Sequence, residues 1–191
     1  MVQSIAGSSM SSFRIAVGEL WGEDVVRRGL ATLDPESRLS VEQAAALLWV
    51  PIEVQARAID AWTAAAGVEF EELVDRAVRR STQRNMSTVL RAFVRFTSDA
   101  AIMARAPLLY SKIRNAGKLT TDYRGPGVAR AYLTEWQGGT DKQMFSLSIS
   151  IEALLEVAGR DHARCKFKRT SDGAVFDVTW GDPRVLPRRY R

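Results

Sequence analysis

Apolar side chains recur every three or four positions along the first 115 residues and at alternate positions thereafter, so the chain reads as a helical region followed by strands. From Ser11 to Leu33 the apolar set is Phe13, Val17, Leu20 and Trp21, then Val25, Val26, Leu30 and Leu33, with Gly22 dividing two helices. Asp34-Pro35 reads as the stop and turn that follow. Ser40-Val-Glu-Gln43 has the form of a capping box, which predicts a helix from Val41. Pro51 fits the first turn of the next helix, which runs to about Ala66 and ends at Gly67. Phe70 to Gln83 places Phe70, Leu73, Val74, Ala77 and Val78 on one face, with Arg76, Arg79, Arg80 and Arg84 opposite. The stripe continues through Met86, Val89, Leu90 and Phe93, and again through Ile102, Met103, Ala106, Leu109 and Ile113, where Pro107 is expected to kink or restart the helix.

After Ala116-Gly117 the period shortens. Leu119, Thr121 and Tyr123 alternate with polar residues, Gly125-Pro126-Gly127 makes a turn, and a second strand runs from Val128 to Trp136. Asp141 to Ala158 carries Met144, Leu147, Ile151, Leu154 and Ala158 on one stripe, a helix long enough to cross the back of a sheet, with Gly159 as its cap. A final hairpin runs from Ala163 to Trp180: Ala163, Cys165 and Phe167 alternate with basic residues, and beyond Ser171-Asp172-Gly173 the apolar set is Ala174, Phe176, Val178 and Trp180. Pro183 to Arg191, with four arginines and two prolines, reads as a mobile basic tail. The expected architecture is α+β: a helical region over 1–116, then a small, mainly antiparallel four-stranded ββαββ unit over 117–182 with one crossover helix, packed as a single domain.

Composition narrows the function classes. With 46% apolar and 26% charged residues, the 191-residue chain has the make-up of an ordinary cored protein. The absence of a run of about 18 apolar residues, and of a basic region leading into an apolar one, favours a cytoplasmic protein with no membrane partner. One cysteine and one histidine exclude an internal disulfide and the common structural zinc sites. The net charge of +5 favours acidic partners without naming one. No Gly-x-Ser-x-Gly, phosphate-cradling glycine loop or histidine relay is present, so no catalytic residue is assigned and a non-enzymatic protein is expected. Asp75, Asp99 and Glu152 read as ordinary helix-surface carboxylates.

Particular residues at the joints carry a resemblance. Phe13 with Gly22-Glu-Asp24, Leu30-Ala-Thr-Leu33, Trp49-Val-Pro51, Leu108-Leu-Tyr110, Asn115-Ala-Gly117-Lys-Leu119, Gly125-Pro-Gly127-Val-Ala-Arg130, Trp136 and Phe176-Asp-Val178-Thr-Trp180 recur in order along nearly the whole chain. In these the chain resembles a family abundant in myxobacteria, itself distantly similar to heme-nitric-oxide-binding and vinyl-reductase-type small-molecule-binding domains. The resemblance implies helices packed on an α+β unit that could enclose a ligand between sheet and helices. It also implies points of departure. Vinyl-reductase-type relatives often carry two cysteines in the last hairpin, where this chain has Cys165 and, at the later position, Ala174. Heme-nitric-oxide sensors use an axial histidine on a helix and a Tyr-x-Ser-x-Arg motif, whereas Tyr110-Ser-Lys-Ile-Arg114 has a different spacing and His162 follows a polar turn.

The candidate sites each have two readings. His162 is read as a solvated loop residue before a heme ligand, and Cys165 as a small buried hydrophobe before a reactive thiol. The aromatics Tyr110, Tyr132, Trp136, Phe145, Phe176 and Trp180 either fill a core or line an apolar pocket; packing alone favours the core, while Tyr110 and Trp136 each bring a polar atom that needs a partner. The arginine row Arg76, Arg80, Arg84, Arg91 and Arg95 could track phosphates, but interleaved acids favour a solvated face, and nucleic acid is not the expected partner. The function expected is a non-enzymatic sensory or regulatory domain, with a small apolar ligand between helices and sheet and no assigned cofactor or metal. The alternative is a protein-interaction adaptor, as a homodimer or a component of a signalling or motility complex, and a third, weaker one is nucleic-acid binding through the arginine row and tail.

Overall fold

The computed structural model describes residues 2–45, 48–85, 97–136 and 138–181. Its elements are β1 (Ser4–Ala6), α1 (Gly7–Trp21), α2 (Glu23–Ala31), α3 (Pro35–Glu42), β2 (Trp49–Pro51), α4 (Ile52–Ala66), α5 (Phe70–Asn85), α6 (Asp99–Ile113), β3 (Lys118–Gly125), β4 (Val128–Thr134), α7 (Asp141–Val157), β5 (Arg164–Thr170) and β6 (Gly173–Thr179). By their contacts the described residues fall into two compact units, one within Met1–Asn85 and Ile113–Ala116, the other within Met86–Lys112 and Gly117–Arg191. The division differs from the expected boundary at residue 116: most of α6 belongs with the sheet. The stripe from Met86 to Phe93 and the tail from Pro183 lie outside the described residues.

In the first unit, Gly22 separates α1 from α2 at φ 95°, a conformation that favours glycine. Asp34-Pro35 starts a helix rather than ending one. The Asp34 carboxylate accepts the Ser37 N–H at 2.9 Å, and Pro35 occupies the first turn, where its missing N–H does no harm. The helix expected from Val41 is absent: α3 has already run its course by Glu42, and Ser40 lies inside it. α4 ends where the sequence places it, with Gly67 in the left-handed region at φ 67°, but Pro51 stands just before the helix as its N-cap and closes β2 rather than entering the first turn. The core joins Met10, Phe13 and Val17 of α1, Leu30 of α2, Trp62 of α4 and Leu73 and Val74 of α5, all buried. Phe13 and Trp62 lie with ring centroids 6.0 Å apart, and Trp62 donates its indole N–H to the Val26 carbonyl at 3.3 Å. Gly29 permits this packing, since a Cβ there would stand 2.4 Å from the Trp62 ring.

A two-stranded antiparallel sheet, unforeseen by periodicity, interrupts the helices: Ser4 pairs with Pro51 and Ala6 with Trp49, while Ile5 bridges to Arg114. α1 then starts at Gly7, earlier than expected, with the Gly7 N–H donating to the Leu48 carbonyl at 2.7 Å.

The second unit is built on a four-stranded antiparallel sheet of order β3-β4-β6-β5. Both hairpins form as the alternation indicates. Pro107 does not restart α6, which runs unbroken from Asp99 to Ile113. α7 opens on a full capping box: Thr140 accepts the Gln143 N–H, and the Gln143 side chain accepts the Thr140 N–H.

Candidate functional site

Strand alternation sorts the side chains of the second unit onto two faces. Ala129, Ala131 and Leu133 of β4, Ala174, Phe176 and Val178 of β6 and Cys165 of β5 form the buried face, with Phe167 half-buried beside Phe176 at 6.2 Å between ring centroids. The opposite face carries Thr120, Asp122, Arg130, Tyr132, Thr134, Val175, Asp177 and, from β5, Arg164, Lys166 and Lys168.

This sorting divides the six aromatics named from sequence. Phe176 stands opposite Ala131 on the buried face, whereas Tyr132 pairs with Val175 on the other and receives a hydrogen bond from Arg124 at 3.1 Å. Tyr132 therefore forms no wall with Phe176. The odd-even pattern of β4 carries this information: Tyr132 shares its parity with Arg130 and Thr134, and not with Ala131 and Leu133. Trp136 is fully buried, its backbone N–H donating to the Asp172 carbonyl at 2.8 Å and its ring against Gly139, where a Cβ would meet both it and Met144. Tyr110 is buried near the end of α6, and Phe145 is half-buried on α7.

Trp180 belongs to a polar cluster. Its indole N–H donates to one Asp99 carboxylate oxygen at 3.0 Å, while Arg160 Nε donates to the other at 2.8 Å. The Arg160 guanidinium also reaches the Ala158 and Thr97 carbonyls. With side-chain exposures of 12% and 23%, Arg160 and Asp99 form a largely dehydrated pair joining the start of α6, the turn after α7 and the end of β6. Glu152 is likewise interior, 7% exposed, and accepts the Cys165 backbone N–H at 2.8 Å. Asp99 and Glu152 are thus not the surface carboxylates expected of them. Asp75 is, pairing with Arg79 one helical turn away. No sequence signal marks the other two, because their partners lie 61 and 13 residues off.

Cys165 is buried, and burial followed by the nearby Glu152 charge pushes its thiol far above the usual range. It is a neutral packing group. His162 is exposed in the turn before β5 at φ 56°, a left-handed conformation uncommon for a residue with a Cβ. Among the described residues, no group of three or more His, Cys, Asp or Glu could hold a metal ion.

The arginine row is neutralised where it is described. Arg76 pairs with Glu72 at 3.0 Å and lies 4.9 Å over the Trp21 ring. Arg80 and Arg84 both clasp Glu19 across from α1. The Arg80 hydrogen bond, aided by both guanidinium charges, holds the Glu19 carboxyl below its usual range. Arg91 and Arg95 lie outside the described residues. Among those described, no helix is long and apolar enough to cross a membrane.

No protein-family model matches the sequence, and no curated protein does. Solved structures do match. A point mutant of the T. tengcongensis H-NOX protein is 11% identical, with a TM-score of 0.67 over 95% of this chain and 100% of that one. The Fe(II) unliganded H-NOX protein of K. algicida is 8% identical, with a TM-score of 0.64 over 96% of this chain and 100% of that one. An oxygen-binding H-NOX domain related to soluble guanylate cyclases is 12% identical, with a TM-score of 0.66 over 96% and 99%. Across nearly its whole length, then, this chain has the fold of the H-NOX domains, and the resemblance carried by its joint residues holds at the level of fold.

Proposed function

We propose that the chain is a non-enzymatic sensory or regulatory domain that takes up a small apolar molecule without a histidine-to-iron bond. The observation that carries the reading is the match to H-NOX domains over more than nine-tenths of both chains, one of them oxygen-binding. The heme named for the H-NOX family does not fit this chain as a histidine-ligated group. The sole imidazole, His162, sits exposed in a turn, away from any apolar helix face, and the sole thiol is buried in the neutral form with its own backbone N–H held by Glu152. What the second unit offers instead is aromatic side chains in its interior, Tyr110 and Phe176 buried and Phe145 and Phe167 half-buried.

Native mass spectrometry of protein purified from its own host tests the reading. A retained mass beyond the bare chain, lost on denaturation, is the expected result; the bare chain alone overturns it. Hemin titration followed by absorption spectroscopy tests the departure from heme. Wild type and His162→Ala should give the same spectrum, and an imidazole-ligated spectrum that disappears in His162→Ala would restore heme.

A second reading, a protein-interaction adaptor, is favoured by the exposure of Leu108, Leu109 and Ile113 on α6, 58%, 43% and 42% respectively. Light scattering over a concentration series, with Leu108→Glu as comparison, decides whether that helix carries self-association.

A further inference from the structure

We propose that the outer face of β5 and β6 is a docking surface for an acidic helix of a partner protein. α7 flanks the edge of β5: Glu152 accepts the Cys165 N–H and Asp141 pairs with Arg169, so the strand is closed to further pairing. Its outer face is open. Arg164, Lys166 and Lys168 lie there and all three are exposed, whereas Cys165, Phe167 and Arg169 alternate onto the opposite side.

These cations have no counter-ion of their own. Lys166 stands opposite Asp177 in the register, but Asp177 is taken from its other side by Arg130 at 2.6 Å, a hydrogen-bonded pairing that raises the arginine's affinity for its proton. Lys168 stands opposite Val175, and Arg164 opposite Thr179. Arg164 gives one N–H to the neighbouring Ala163 carbonyl, and among the described residues none of the three enters an ion pair. On α5, by contrast, Arg76, Arg80 and Arg84 each clasp a carboxylate. Three like charges on one strand face repel one another, and an anionic partner relieves that repulsion.

Spacing and neighbours select a helix. Alternate side chains of a strand repeat at about 6.8 Å. Carboxylates at every fourth residue of a helix repeat at about 6 Å, so three of them keep step with Arg164, Lys166 and Lys168. Beside the row, Val175 pairs with Tyr132 across β6 and β4, both half-buried, and this small apolar ground meets the flank of the same helix. Single-stranded nucleic acid fits less well. Tyr132 is the one aromatic on the outer face among the described residues, and its hydroxyl is engaged by Arg124, leaving no ladder of rings for successive bases. A bilayer also fits less well, because none of the exposed large apolar side chains among the described residues lies on this face to enter it. The surface is separate from the interior aromatics of the second unit, so its failure leaves the small-molecule reading standing.

Fluorescence anisotropy on the whole chain tests the proposal with three labelled probes: an eighteen-residue alanine-based helical peptide with Glu at every fourth position, an isomer of identical composition and equal helicity by circular dichroism with its Glu residues spread around the helix, and an oligothymidylate of equal charge. The one-faced peptide should bind at least tenfold more tightly than its isomer. Lys166→Glu should lose at least tenfold, whereas Lys112→Glu, the same charge change on α6, should lose less than twofold. Both positions are exposed, so neither variant disturbs packing. Equal affinity for the two helical peptides, preference for the oligothymidylate, equal losses in the two variants, or no saturable binding by the one-faced peptide would each overturn it.

Discussion

Helices α1 to α5 and the sheet unit place their charges differently. Across the helices, ion pairs such as Asp24 with Arg28, Glu42 with Arg38 and Glu19 with Arg80 stay at the surface, and the interior is left to Phe13, Val17, Trp62 and Leu73. The sheet unit takes charge inside, with Arg160 and Asp99 tying three elements together and Glu152 holding the edge of β5. Surface pairs contribute little each and are screened by salt, whereas an interior pair is highly sensitive to loss of one member. Helices α1 to α5 should therefore fail through lost packing and the sheet unit through lost polar partners, while the first unit's own buried charge, Arg114, comes from the segment that follows α6.

The largest effect is expected where packing alone matters. Trp62→Ala should destabilise the protein by about 3–5 kcal/mol in urea denaturation, because it empties the space between α1, α2 and α4. Asp99→Ala should lower stability by about 2–4 kcal/mol by leaving Arg160 dehydrated and unmatched, and adding Arg160→Met should recover part of that loss. Full additivity of the two would remove the contrast between the units. Glu152→Ala should cost about 1–2 kcal/mol, since the Cys165 N–H loses its acceptor. It should also speed reaction of the Cys165 thiol with a disulfide reagent, because β5 opens more often once the Cys165 N–H has lost its acceptor. In the parent protein that reaction should proceed no faster than unfolding.

His162→Gly should be neutral or stabilising by up to about 1 kcal/mol, since glycine adopts φ 56° without strain. Glu19→Gln should have the smallest effect and show itself as a change in pH dependence. The folded-state pKa of Glu19 lies below its ordinary 4.5, so its contribution is present above that value and lost as pH falls through the lowered one. The variant should be less sensitive than the parent over that acid range.

Helices, hairpins and their order were legible because each has a long period: α4 spans four turns, and each final strand repeats its alternation three times. Three-residue strands such as β1 and β2 have no period to read. The start of α3 was misplaced because Asp34-Pro35 read as a stop, whereas an Asp acceptor followed by proline in the first turn is also a helix start, and Ser40 ahead of Gln43 lies inside the helix. The candidate site was legible only in part. Tyr132 was grouped with Phe176 although its parity with Arg130 and Thr134 sets it on the wet face of β4, and nothing local to Asp99 or Glu152 announced an interior position, since burial of a carboxylate is decided by a donor elsewhere in the chain.

The small sheet near the amino terminus has a consequence for synthesis. Ile5 bridges to Arg114, and Asn115 both accepts the Ser4 N–H and donates to the Val2 carbonyl. The first unit is thus closed by a segment that leaves the ribosome long after α5. Its helices can gather early through local contacts, but β1 acquires its second neighbour only once residues 113–116 have emerged. A nascent chain stopped before Ile113 should hold collapsed helices and an amino-terminal strand still open to protease.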